Sequence, residues 1–235
     1  GLLAALSLLA AACGDDSESS SDGGSTESAV PACLDIPALY ALTGPESIGF
    51  ANWSDANALA AELGSAYATL PEAPLVINGP GEESGTYDSF VEFAIADFAE
   101  ERGQDEATRA DYSSSANDNL IVDGIEGADT SIGWVGYAYY KSEGDRLKAI
   151  AVAGDDGTCV APTDETVADG SYLFSRDLFI YVNVANAADN PAVASYVDLY
   201  LSDAGIATVA EVGYVGETAE DLEAARSAWA AAAGG

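Results

Sequence analysis

The stretch from Pro74 to Gly103 constrains the fold more than any other: a short apolar run, a glycine-rich turn and an amphipathic helix in immediate succession. Pro74-Leu75-Val76-Ile77 is bounded by turn residues and reads as a buried strand. Gly79-Pro80-Gly81-Glu82-Glu83-Ser84-Gly85-Thr86 then turns the chain. From there Tyr87, Val91, Ala94, Ile95 and Phe98 recur on one face of a helix, with Asp88 and Glu92 on another. Arg102 and Gly103 end it, a cation in the last turn followed by a left-handed stop. Such a turn aims free backbone N–H groups, two hydroxyls and the positive end of the helix dipole at one point, which suits an oxyanion. The alternative is that Ser84 or Gly85 only caps the helix and the glycines only turn the chain.

The rest of the chain alternates in the same way. Residues 34–42 read as a short helix stopped by Gly44-Pro45, and Ser54 or Asp55 as the cap of a second helix running to Gly64. Ser113-Ser114-Ser115 and Asn117-Asp118 form a polar turn opening a helix over residues 119–125. Residues 132–135 and 147–152 read as strands and residues 163–168 as a short helix. Residues 173–184, with "LFIYVNV", have the character of an extended run buried on both sides. Asn190-Pro191 opens a helix with Val193, Tyr196, Val197, Tyr200 and Leu201 inside, ended by Gly205. Thr218 and Asp221 resemble a capping box for a last helix with the stripe Leu222, Ala225 and Trp229. Alternation of this kind predicts an α/β fold with a largely parallel sheet.

Several segments taken together, "GPGEESGTYDSF", "ADYSSSANDNLIVDGIEG", "IGWVGYAYY", "CVAPTDETVADGSY" and "SRDLFIYV", resemble in sequence and order the C-terminal half of the phosphate-binding proteins (PstS type) that feed bacterial ABC phosphate importers. The similarity runs from about residue 33 to near the end. It implies a periplasmic-binding-protein-like fold of type II: two α/β lobes joined by crossing strands, ligand in the cleft, closure like a hinge. On that reading residues 33–235 are the phosphate-binding region, with 74–172 mainly the second lobe and 173–235 the return to the first. The implied ligands of phosphate are Ser84, Gly85, Thr86 and Tyr87, with Ser115 near the ligand-facing side, where capping is the competing role. Arg176 is read as neutralising a carboxylate at the hinge, with a ligand role as the lesser alternative, and Trp134, Tyr137, Tyr139 and Tyr140 as core and cleft wall.

Residues 1–12 (GLLAALSLLAAA) followed by Cys13 resemble the core and cleavage region of a lipoprotein signal without its basic leader, which makes Cys13 the lipidated residue. Residues 14–32, rich in Ser, Gly and acid, would be a disordered tether from that anchor. The expected place is therefore the extracytoplasmic face of the cell membrane. Cys33 and Cys159 then remain as an even pair in a secreted chain, read as one disulfide; two separate buried thiols are the alternative.

Formal charge is −33, from 40 Asp and Glu against seven Lys and Arg. That excludes nucleic-acid binding through a basic face. It also means the global field opposes an anionic ligand, so capture must rely on short-range dipoles and hydrogen bonds. With no His, a Ser-His-Asp or Cys-His arrangement is impossible, and Glu83-Ser84-Gly85 does not match the G-x-S-x-G elbow. The adjacent acids Glu82 and Glu83 are read as solvated, and Asp155-Asp156-Gly157 lacks the ligand count of a calcium loop. The expectation is a binding protein rather than an enzyme, a monomer with no cofactor and no metal, whose partners are inorganic phosphate and the membrane permease of the importer.

The chain departs from the family in one respect. Relatives carry a "GSST"-like phosphate turn, an "SGTGGG"-like turn and an acid within a "DISDASR"-like stretch ahead of this region. Here the sequence passes from the Ser-rich segment straight into "CLDIPALYALTGPES". The expectation is a site with half its ligands, binding phosphate at millimolar strength, and poor rejection of sulfate because the acceptor for the HPO₄²⁻ proton is among the absent residues. A remnant that folds or associates but transports nothing is the alternative function.

Overall fold

The computed structural model describes residues 30–233. The signal-like segment, Cys13 and residues 14–29 of the expected tether lie outside the described residues. The remaining tether residues join the folded body: Val30 packs against the core, and the Ala32 carbonyl accepts the Ala151 amide at 2.9 Å.

The elements follow in chain order as β1 (Cys33–Asp35), α1 (Ile36–Thr43), α2 (Asn57–Glu62), β2 (Val76–Gly79), α3 (Gly85–Ala94), α4 (Ala96–Arg102), β3 (Ser113–Ser114), α5 (Asp118–Glu126), β4 (Ser131–Gly133), α6 (Tyr137–Glu143), β5 (Ala151–Ala153), β6 (Cys159–Val160), α7 (Asp164–Ala168), α8 (Val184–Asp189), α9 (Pro191–Tyr200), α10 (Asp203–Glu211) and α11 (Ala219–Ala233). Two three-stranded sheets result, ordered β1-β5-β6 and β3-β2-β4. Every pairing is parallel except β5 with β6. The expected α/β class with mainly parallel pairing holds.

One apolar core joins the two sheets. Leu34 and Val152 enter it from the first sheet, Ile77 and Ile132 from the second. Between them lie α1, buried throughout from Ala38 to Thr43, and the buried faces of α2 and α3. Trp53, fully buried, donates its indole N–H to the Thr130 carbonyl at 2.9 Å, which ties the segment before α2 to the turn entering β4.

The expected helix over residues 34–42 is divided. Leu34 and Asp35 pair with Val152 and Ala153, and the helix starts at Ile36 because Asp35 Oδ1 accepts the Ala38 amide at 3.0 Å. Asn52 rather than Ser54 or Asp55 opens the next turn, with Asp55 Oδ2 accepting the Ala51 and Asn52 amides at 2.8 Å each. The helix expected through Phe98 breaks at Ile95 (φ −121°), and the break leaves Ile95 and Ala99 both buried. Gly103 has the left-handed conformation (φ 63°) expected of the stop.

The largest correction lies at residues 173–184. The run is not a buried strand: Leu178, Phe179, Ile180 and Tyr181 are exposed, Tyr181 at 95%, and no strand among the described residues lies beside them. Apolar character without a neighbouring edge cannot bury a strand. In α9 only Val197 is buried, whereas Tyr196 is exposed, and Gly205 lies inside α10, its amide held by Ser202 Oγ. Thr218 does cap α11, accepting the Asp221 amide at 3.2 Å.

Cys33 and Cys159 are disulfide-bonded, with Cα atoms 6.1 Å apart. The Tyr67 hydroxyl bridges both sulfurs, at 3.2 Å from Cys33 Sγ and 2.9 Å from Cys159 Sγ.

Candidate oxyanion site at the start of α3

In the β3-β2-β4 sheet the strands run in parallel, so their C-terminal ends lie side by side. The chain leaves β2, the central strand, at Gly79 and enters α3 six residues later. Crevices outside the carboxyl ends of parallel strands are where α/β folds bind ligands. Here the carboxyl end of β2 is bordered by the Gly79–Ser84 turn, by Ser115 after β3 and by Trp134 after β4.

The turn is fixed from both sides. The Ser115 amide donates to the Gly79 carbonyl at 3.1 Å, and the Tyr112 hydroxyl to the Pro80 carbonyl at 2.5 Å. Burial pushes the Tyr112 phenol above its ordinary pKa, with Glu83 and Glu82 adding to the rise and a hydrogen bond involving Thr108 opposing it. The Ser84 amide closes the turn on the Gly81 carbonyl at 3.1 Å, and the Glu83 side chain curls back over Gly81. Trp134 lies against Gly79, stacked on Phe90 of α3 with ring centroids 4.3 Å apart.

At the helix mouth Ser84 is the N-cap, its Oγ accepting the Thr86 amide at 3.1 Å. The amides of Gly85 and Tyr87 and the Thr86 hydroxyl have no partner among the described residues. The capping reading and the anion reading of Ser84 therefore coexist: one first-turn amide is taken by the cap and two stay open. Tyr87 buries its ring, and its hydroxyl accepts the Thr108 amide at 3.4 Å, so only its backbone faces the mouth. Ser115 lies beside the turn, but its hydroxyl accepts the Asn117 amide at 3.0 Å and shapes the entry to α5.

Arg176 is placed differently from the expectation. It pairs with no carboxylate among the described residues; instead its Nη2 stands 3.7 Å from where a Gly85 β-carbon would be. Sequence spacing gave no sign of this, because the contact is between residues far apart in the chain. The one available signal was the scarcity of cations. Of Tyr137, Tyr139 and Tyr140, none is buried in the core, since α6 buries no residue; partial burial, with the hydrogen bond that Tyr137 donates to Asp164 Oδ1 at 2.9 Å, holds the Tyr137 phenol up at about 12.

A family model described as a PBP superfamily domain matches residues 31–204. The chain belongs to the PBP superfamily. Among similar proteins, Protein SphX of Synechocystis is 42% identical over 147 residues, 62% of this chain and 41% of that protein. The phosphate-binding protein PstS of Staphylococcus saprophyticus is 32% identical over 57% of this chain and 39% of its own length. This superfamily member thus spans about two fifths of the length of the curated relatives it matches. Its fold is similar to the crystal structure of a possible phosphate binding protein from Planctomyces limnophilus, with a TM-score of 0.67 and 29% identity over 86% of this chain and 67% of that one.

Proposed function

We propose that the chain captures inorganic phosphate at the start of α3 and serves an ABC-type importer as its solute-binding protein. The carrying observation is the pair of open amides, Gly85 and Tyr87, at the N-terminus of a helix that leaves the central strand of a parallel sheet. The similarity to PstS and to the Planctomyces protein supports phosphate as the anion. Ser84, Gly85, Thr86 and Tyr87 form the ligand set in this proposal, with Ser115 holding the turn from one side. Hand-off to a membrane permease, attachment through a lipid on Cys13 at the outer face of the cell membrane, and a monomeric state complete the proposal. Binding without catalysis is the role it assigns.

The strength follows from counting contacts. Three or four charge-assisted hydrogen bonds contribute about 1.5–3 kcal/mol each, against an association cost of about 4–15 kcal/mol. A Kd in the millimolar range corresponds to about −4 kcal/mol. Amide NMR of the chain titrated with inorganic phosphate tests the reading. The Gly85 and Tyr87 resonances should move together along one saturable curve. If they stay still at tens of millimolar phosphate while the fold is intact, the transport function is wrong and the remnant reading replaces it.

A further inference from the structure

We propose that the Cys33–Cys159 bridge is a thiol-exchange site, at which a small neutral or cationic thiol adds to Cys159 while Tyr67 holds the Cys33 thiolate that leaves. The two sulfurs are unequally placed. Cys159 is exposed at the start of β6, whereas Cys33 is half-buried on β1 beside the core residue Leu34. A disulfide opens by attack of a thiolate on one sulfur, and access decides which. The residue open to water is therefore attacked, and its partner is the leaving group. Tyr67, from the segment after α2, has its hydroxyl 2.9 Å from Cys159 Sγ and 3.2 Å from Cys33 Sγ. A disulfide sulfur carries no proton, so the tyrosine is the donor. One proton shared between two weak acceptors contributes little while the bridge is closed.

The step balances without an oxidant. The incoming thiolate forms a new S–S bond to Cys159 Sγ, the old bond breaks, and its electron pair leaves on Cys33 as a thiolate. A second thiolate attacking the mixed disulfide completes the reduction and carries the thiol away as its own disulfide. Charge thus develops on a half-buried sulfur that already has the Tyr67 hydroxyl beside it. The hydrogen bond becomes charge-assisted as it forms, and about twice as strong as a neutral one. Charge also sets the class of thiol. Asp155 and Asp156 are exposed on the turn that leads to Cys159, with Asp156 held there by the Thr158 amide at 2.8 Å and hydroxyl at 2.9 Å. With −33 on the whole chain, an anionic thiol is repelled on approach and a neutral or cationic one is not.

The test treats the full chain with cysteamine at fixed pH, quenches in acid and maps the adducts by mass spectrometry. Adducts should sit on Cys159 over Cys33 by about ten to one or more. Opening should be first order in thiol, the mark of attack on the folded chain rather than of rate-limiting unfolding. Tyr67→Phe, checked for folding by circular dichroism, should slow opening about three- to tenfold. The sign separates the roles: a merely structural Tyr67, once cut back, would loosen the bridge and speed its opening. At equal thiolate concentration mercaptoacetate should react about threefold or more slowly than cysteamine, with the gap narrowing as salt is added. Adducts spread evenly or sitting on Cys33, a rate independent of thiol, or a Tyr67→Phe variant that opens as fast as the parent would overturn the proposal. Equal rates for the two thiols would overturn the class of thiol assigned to it.

Discussion

The indole of Trp134 lies so close to Gly79 that a β-carbon there would be 2.7 Å from its six-membered ring. Trp134 cannot retreat freely, because it is stacked on Phe90 and tilted against Tyr112 at 5.2 Å. Gly79→Ala should therefore destabilise the fold by about 1–3 kcal/mol, the range for overpacking a tight contact. Gly85→Ala is the comparison, because the nearest atom there is the mobile end of Arg176 at an ordinary 3.7 Å. Thermal melting should rank Gly79→Ala well below Gly85→Ala; the reverse order would mean that Trp134 moves aside without cost.

The Cys33–Cys159 bond spans 126 residues of sequence. In the chain-entropy model a closure of that length stabilises by about 4–5 kcal/mol. The double variant Cys33→Ser with Cys159→Ser should shift the urea midpoint strongly downward, as should reductant added to the parent. No shift with either would show that the bond closes a loop the native contacts already hold.

Asp111 supports a pH prediction. Arg109, almost wholly buried, donates to it through Nε at 2.6 Å and Nη2 at 2.8 Å, and the Gly49 amide adds a third bond at 2.8 Å. Mainly through that guanidinium the Asp111 carboxyl is held down at about 2. A depressed carboxyl contributes its stability above the unfolded value of about 4 and loses it as pH falls from about 4 to about 2. Asp111→Asn should cost about 1–2 kcal/mol at neutral pH, discounted because the carboxylate side chain is 39% exposed. Denaturation series at pH 7, 4 and 2.5 should show the gap between parent and variant closing across the acid limb. A constant gap would remove Asp111 as the titrating group.

Ionic strength should act on phosphate binding in an unusual direction. The formal charge of −33 repels the ligand from a distance, while its bonds are made at contact range. Raising sodium chloride from about 10 to about 150 mM cuts the Debye length from about 30 to about 8 Å and screens mainly the repulsion. Affinity should rise about two- to fivefold. A steep fall would signal a cationic surface and contradict the proposed mode of capture.

Chymotrypsin offers a check on the segment before α8. Phe179 and Tyr181 are exposed at 70% and 95%, on a run whose main chain joins no sheet among the described residues. The first cleavage should fall there, ahead of the many buried aromatics near α1 and α3. Early cleavage elsewhere would indicate that the run is covered in solution.

What was legible in the sequence follows from range. The strand before Gly79, the Ser84 cap, the Gly103 stop and the α5 entry at Asn117 are local events, settled by residues within one turn of each other. The α/β class followed from their alternation. Three things were not legible. Leu34 and Asp35 have helix-compatible neighbours, and only the distant partners Val152 and Ala153 make them a strand. Residues 178–181 have the composition of a buried strand, and composition does not reveal whether an edge awaits it. Arg176 reaches Gly85 because Phe174 docks on α3, a tertiary contact with no sequence spacing to announce it. The open amides at the start of α3 were thus readable, and the nearness of Arg176 to them was not.

The bridge between Cys33 and Cys159 and the turn at Ser84 belong to sheets that have no strand in common. On the proposed function, durability and ligand capture are therefore set at different places in the molecule. A reducing milieu would shorten the life of each copy, while the turn proposed to hold the anion would keep its geometry in every copy still folded.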